Sequence, residues 1–301
     1  MTMTSPRATP PAALPTKALR RAARNDGRSN GGRAGFWTYG LLLAFVAGSV
    51  FPFYWQFLVA SRDSSMLTDK VPPLLPGGNF FANAQRVFDS VPFWKSLGNS
   101  LIVAGTVTFS TVLFSTLAGF AFAKLRFKGR NGLFLFVVAT LAVPTQLGII
   151  PLYMAMAEFG WTGQLHAVIV PNLVTAIGVF WMRQYTIEAV PYELIEAARV
   201  DGCSMLRTFW HVCVPAVRPA AAFLGMFTFM TSWNDFLWPL VVLNADNPTV
   251  QLALERLQSG YYVDYSLVLA GTTLATIPVL IVFVLLGRQI VAGIMQGAVK
   301  G

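Results

Sequence analysis

Between Thr186 and Pro219 the chain reads TIEAVPYELIEAARVDGCSMLRTFWHVCVPAVRP. Within it Glu193, Glu196, Arg199 and Asp201 can make directed, charge-assisted contacts around the small residues Ala197 and Ala198. Small side chains admit a second surface at close range, so the chemistry on offer is docking rather than bond breaking. Pro191 suits the first turn of a helix, and Tyr192 to Val200 are good helix formers. Gly202 supplies the left-handed geometry that ends such a helix, with a turn and a second helical stretch expected before Pro215. The sequence holds no GxxxxGK[ST] phosphate loop, so nothing in it matches a P-loop nucleotide site. His166 and His211 have no second ligand at metal-binding spacing and read as structural. Cys203 and Cys213, the two cysteines of the chain, read as reduced thiols without a disulfide or metal framework.

A second constellation is Trp233, Asn234, Asp235 and Trp238, with Thr231 and Ser232 beside them. Aromatic faces next to amide and carboxylate groups suit sugars, which offer C–H faces and many hydroxyls. The competing reading is an interfacial aromatic belt with Asn and Asp capping a helix end, and it weighs about evenly. Gln146 and Asn172, with Thr145 and Thr175, can line a solute route or bridge helices by hydrogen bonds, and bridging is the ordinary role for each alone.

The elements that must position these residues are apolar helices. Hydrophobic residues make up 55% of the chain and charged ones 12%, against a charged share of roughly 25% in soluble domains. A bilayer crossing needs about 20 largely apolar residues, and six stretches meet that length, approximately Phe36–Ala60, Leu97–Ala123, Leu133–Met156, Leu165–Met182, Ala220–Leu243 and Leu267–Leu286. The expected fold is thus an all-α membrane protein of six transmembrane helices. Prolines are expected to interrupt them at Pro52, Pro144, Pro171, Pro239 and Pro278. Between the first two, Phe81 to Phe88 reads as a short amphipathic helix after a Pro/Gly-rich turn.

The net charge of +9 has a distribution that decides its meaning. Lys and Arg crowd before the first helix, from Arg7 to Arg33, and recur at Lys124, Arg126, Lys128 and Arg130, again between helices four and five, and after the sixth. The alternate segments hold only Arg62, Lys70, Arg86, Lys95 and Arg256. That bias places both termini in the cytosol, with the Thr186–Pro219 loop also inside. The charge is therefore a topology signal and a contact for anionic membrane lipid, not a nucleic-acid footprint. Residues 1–35 are expected to form a basic, disordered cytosolic arm without a cleavable signal, ahead of one membrane domain over residues 36–301.

The loop resembles the signature of binding-protein-dependent ABC importer permeases, in which Glu-Ala-Ala is followed at fixed spacing by Gly, an apolar pair and Pro. Here the pattern is Glu196-Ala197-Ala198, Gly202, Val212, Val214 and Pro215, with Val in place of the usual Ile and Leu. Asn99-Ser100-Leu101-Ile102, the run from Trp233 to Pro239 and the terminal Gly297 to Gly301 are similar to the second permease of carbohydrate importers of the maltose-transporter type. The resemblance implies a coupling helix, between helices four and five, that seats in an ATPase subunit. It also implies a second homologous permease, two ATP-binding cassette subunits that bind ATP and Mg, and an extracytoplasmic solute-binding protein. The membrane would be a bacterial or archaeal plasma membrane, and this chain would carry no cofactor or catalytic group. An ion-coupled secondary transporter is the alternative, but it calls for ionisable groups deep in several helices, and only Asp235 qualifies. An intramembrane enzyme would need paired catalytic groups, which the sequence lacks.

Overall fold

A computed structural model describes residues 35–68, 74–259 and 261–298. The basic arm and the last residues of the Gly297–Gly301 motif lie outside that range. All regular structure among the described residues is helical. The chain divides into two compact units between Tyr54 and Trp55, a boundary within α1 (Phe36–Ala60).

The second unit continues with α2 (Phe80–Ser90), α3 (Phe93–Lys124), α4 (Arg130–Thr140), α5 (Ile149–Glu158), α6 (Leu165–Ile169) and α7 (Ala176–Ala189). After these come α8 (Tyr192–Val200), α9 (Met205–Thr208), α10 (Val214–Trp233), α11 (Leu237–Val242), α12 (Val250–Arg256) and α13 (Tyr265–Ala298). Helix α2 is the amphipathic helix read from the sequence, burying Asn83, Ala84 and Val87.

The hub is α3, which packs against α7 and α10, while α10 also meets α13. Glycine makes the α3–α7 approach possible. A Cβ on Gly119 would stand 2.8 Å from the backbone of Met182 and Arg183, and one on Gly178 would stand 2.5 Å from the Ser115 hydroxyl. Lipid offers no hydrophobic drive between helices, so such close backbone packing carries the association.

Three of the six expected stretches are broken, two of them at Pro144 and Pro171 as their prolines imply. Leu133–Met156 is not a straight span but the pair Arg130–Thr140 and Thr145–Glu158, meeting at 89°. Pro144 is extended at the corner, since its ring excludes helical geometry from the preceding residue and it donates no hydrogen bond. Among the described residues five helices are long and apolar enough to cross a membrane, and the bent pair is the sixth candidate. The fourth stretch tightens to a 3-10 turn at Val170–Asn172 and breaks before α7, where Pro171 frees backbone acceptors. The Thr111 hydroxyl donates to the carbonyls of Asn172 at 3.2 Å and Leu173 at 3.4 Å, which satisfies groups that no water reaches in a bilayer.

The fifth stretch starts earlier than expected and stops at Trp233. The Asn234 side chain donates to the Met230 carbonyl at 2.8 Å, competing with the backbone for the helix end. By contrast Pro52 and Pro278 sit inside unbroken helices, and Pro239 lies within α11, so these three do not interrupt. One further irregularity precedes α10. Phe209–Cys213 forms a π-helical turn, whose wider winding relieves the clash that Pro215, in the first turn of α10, would make with the preceding carbonyls.

Candidate functional site

Two regions gather the residues singled out by the sequence, and α10 joins them. Its 20 residues span about 30 Å at 1.5 Å per residue.

The first region is α8. Pro191 precedes the helix as its cap rather than lying in its first turn. At the other end the Gly202 N–H donates to the Arg199 carbonyl at 3.0 Å and the Cys203 N–H to the Ala198 carbonyl at 2.9 Å. These two bonds form a Schellman closure, which requires a left-handed residue between them, and Gly202 has φ +75°. A Cβ there would meet nothing within 4 Å, so backbone handedness, not crowding, selects glycine at this position.

The two alanines of the motif part company. Ala198 turns inward with Ile195, whereas Ala197 faces out beside Glu193, Glu196 and Val200, the last of them 89% exposed. Asp201 is exposed at the helix end and Pro215 is exposed on the far side of the π turn. A helix with one apolar seam held by its own chain and an outer face of small, acidic and apolar groups is built to meet another surface.

The inner seam rests on the end of α3. The Tyr192 hydroxyl donates to the Ala123 carbonyl at 3.2 Å. The Lys124 ammonium donates to the Ile187 carbonyl at 3.3 Å and lies 4.7 Å from the Tyr192 ring centroid. Sequence reading counted Lys124 only as a topology charge. A lysine directly abutting an apolar run is the common signal of an interface anchor, and nothing in its spacing marks it as buried.

The second region surrounds the break between α10 and α11. A cavity of about 300 Å³ is lined by Asn172, Thr175, Thr228, Thr231, Ser232 and Asp235, among others. A neighbouring cavity of about 400 Å³ is bordered by Thr145, Gln146, Asn172, Asp235 and Trp238. Asn172 and Asp235 border both, so the helix breaks on two different elements converge on one polar recess. Asn172 is itself held by a bond from its amide to the Val168 carbonyl at 2.9 Å. Thr228 was not singled out from the sequence, because one threonine on an apolar helix is ordinarily bonded to its own backbone.

Trp233 and Asn234 line neither cavity. Trp233 is 2% exposed and stacks on Phe229 with ring centroids 5.5 Å apart, while Asn234 closes the end of α10. Trp238 is largely buried, with its indole N–H donating to the Ala167 carbonyl at 3.1 Å. His166 packs edge-on against Trp161 at 4.8 Å.

The Asn99-Ser100 pair has a structural task at the opposite end of α3 from α8. The Asn99 amide donates to the Pro248 carbonyl at 2.9 Å, and the Ser100 hydroxyl accepts from the Val250 N–H at 2.8 Å. Both bonds pin the start of α12 to α3.

Known proteins resemble the chain over nearly its whole length. It is 34% identical over 270 residues to the arabinooligosaccharides transport system permease protein AraQ of Halalkalibacterium halodurans, covering 88% of this chain and 96% of that protein. It is 36% identical over 261 residues to the lactose transport system permease protein LacG of Rhizobium radiobacter, covering 86% and 93% respectively. Its fold matches a chain in the crystal structure of a bacterial ABC transporter involved in the import of the acidic polysaccharide alginate, with a TM-score of 0.71 over 92% of this chain and 99% of that one, at 22% identity. Residues 112–296, which run from the middle of α3 through α8 and most of both cavities into α13, match the family described as binding-protein-dependent transport system inner membrane component, and the chain belongs to that family.

Proposed function

We propose that the chain is a permease subunit of an ATP-driven importer for a carbohydrate of the di- or oligosaccharide class. In this reading it crosses the membrane six times, counting the bent α4–α5 pair as one span, with both termini and α8 in the cytosol. A second permease completes the solute route, two ATPase subunits bind ATP and Mg, and an external binding protein delivers the solute. The bias of Lys and Arg toward the α8 side supports that orientation.

The observation that carries the reading is the placement of α8, a capped helix with Glu196 and Ala197 turned outward, at the end of α10 remote from Asp235. Motion imposed on α8 by an ATPase has a rigid path of about 30 Å to the polar recess. The recess offers amide, hydroxyl and carboxylate groups beside Trp238, which suits a ligand of hydroxyls and C–H faces. The arabinooligosaccharide and lactose permeases among its relatives point to the same solute class.

Copurification of the tagged chain, followed by a screen of solutes for stimulation of the complex's ATPase, tests this. A coupled importer brings down an ATPase whose rate rises with one sugar and its binding protein. A chain that copurifies with no ATPase, or whose complex answers only to non-carbohydrate solutes, overturns the corresponding half of the reading.

A further inference from the structure

Lys124 is a buried cation without a carboxylate in ion-pair range among the described residues. It is 4% exposed, and the ion pair found there is Arg86 with Asp264, at the other end of α3. Placing an ammonium out of water is costly unless its donors are used, and a methionine would fill the same space at no such cost. What the ammonium does here is join three elements. Its own backbone ends α3, its Nζ donates to the Ile187 carbonyl in the last turn of α7, and its charge sits over the Tyr192 ring in the first turn of α8. The Tyr192 hydroxyl returns a bond to the Ala123 carbonyl, next to Lys124. Glu193, also in the first turn of α8, adds attraction for the ammonium.

Resting on the importer reading above, we infer that Lys124 is a positioning residue that latches the coupling helix to α3, so that displacement of α8 moves α3 and α7 together instead of being absorbed at the Val190–Pro191 joint. That movement reaches the polar recess. Helix α3 supplies Val107 to the 300 Å³ cavity, and Asn172 and Thr175, which precede α7, line the same cavity. The ammonium suits this duty better than an apolar group because it has three donors and a charge that follows the ring as α8 tilts, while methyl contacts are lost with a small separation.

The test uses the whole complex in vesicles, with ATP hydrolysis and solute uptake measured on the same preparation. Lys124→Met keeps the volume and removes the charge. The expected result is an assembled complex that hydrolyses ATP but imports about tenfold less solute per ATP. Lys124→Arg, which restores a cation over the ring, is expected to recover most of that ratio. Tyr192→Leu removes the ring and should uncouple in the same sense, while Tyr192→Phe keeps the ring and loses only the hydroxyl bond, giving the milder loss. Wild-type uptake per ATP in Lys124→Met overturns the latch. If that variant fails to assemble, Tyr192→Leu decides, and normal uptake per ATP there overturns it equally. A wild-type chain that copurifies with no ATPase overturns the importer reading instead, and is read before any variant.

Discussion

The hydroxyl of Ser100 accepts the Val250 N–H at 2.8 Å, tying the first turn of α12 to α3 across 150 positions of sequence. Both residues are buried, so Ser100→Ala strands a donor away from water. The expected cost is about 1–3 kcal/mol. Hydrogen exchange localised at residues 247–252 is the measurement, with faster exchange there than in α10.

Gly119 sets the distance between α3 and α7. Gly119→Leu should force the helices apart and lower stability by about 1–3 kcal/mol or more, read as a lower unfolding midpoint of the purified chain in detergent. Gly105→Ala is the control, because a Cβ at that position of α3 meets nothing within 4 Å. An equal drop for both substitutions contradicts the packing account.

Gly202 separates handedness from bulk. Gly202→Asn can hold the left-handed cap and should retain the ATPase on copurification, whereas Gly202→Val costs about 1–2 kcal/mol of backbone strain and should lose it. Loss in both variants would mean that the partner's surface, rather than the cap, excludes side chains.

The recess sorts its residues by outcome. Asn172→Ala and Asp235→Asn should shift the solute dependence of uptake, with KM changing about tenfold or more. Trp233→Ala should instead lower the yield of folded complex, as loss of a buried aromatic costs about 3–5 kcal/mol, with KM unchanged in what assembles. A changed KM in Trp233→Ala alone would move the solute route toward α13.

Asp264 serves an ion pair and a helix end unequally. Its Oδ2 meets Arg86 at 2.7 Å, and its Oδ1 accepts the N–H groups of Ser266 and Leu267 at the start of α13. Arg86→Ala removes an exposed pair worth about 0.2–1 kcal/mol, while Asp264→Ala also uncaps the helix at about 0.5–2 kcal/mol. The unfolding midpoint should therefore fall further for Asp264→Ala, and the difference between the two should persist at high salt.

Much of this was legible because composition constrains membrane helices strongly. The bounds of α1 agree with the apolar run from Phe36 to Ala60, which ends where Ser61 and Arg62 restore polarity. The bounds of α8 follow from Pro191 before it, whose ring fixes φ, and Gly202 after it, which takes the left-handed cap without a Cβ clash. The break at 234–236 was hidden, and at 141–144 Pro144 signalled an interruption but not its 89° angle, because an apolar window scores the same whether its helix is straight or bent. Pro52 and Pro144 are identical as letters, yet the first is absorbed within a helix and the second stands at the 89° corner. The recess was half readable. Asp235, Asn172 and Gln146 announce themselves as polar groups at apolar depth, but which face a tryptophan presents depends on tertiary packing, so Trp233 could not be told from Trp238. Lys124 was hidden for a related reason, since a charge at a helix end is exposed in most proteins.

The π turn at Phe209–Cys213 holds one residue more than an α-helix needs, and that surplus fixes a phase. Deleting a residue there would let the turn relax to ordinary winding with α9 and α10 close to their present phase, whereas keeping the residue and winding it as ordinary α-helix would rotate α9 by about 100° relative to α10. The outward face of α8 would then point along a different bearing while every side chain on it stayed the same. The wide turn thus acts as the setting of a dial, taking up the surplus residue so that the motif on α8 keeps its bearing.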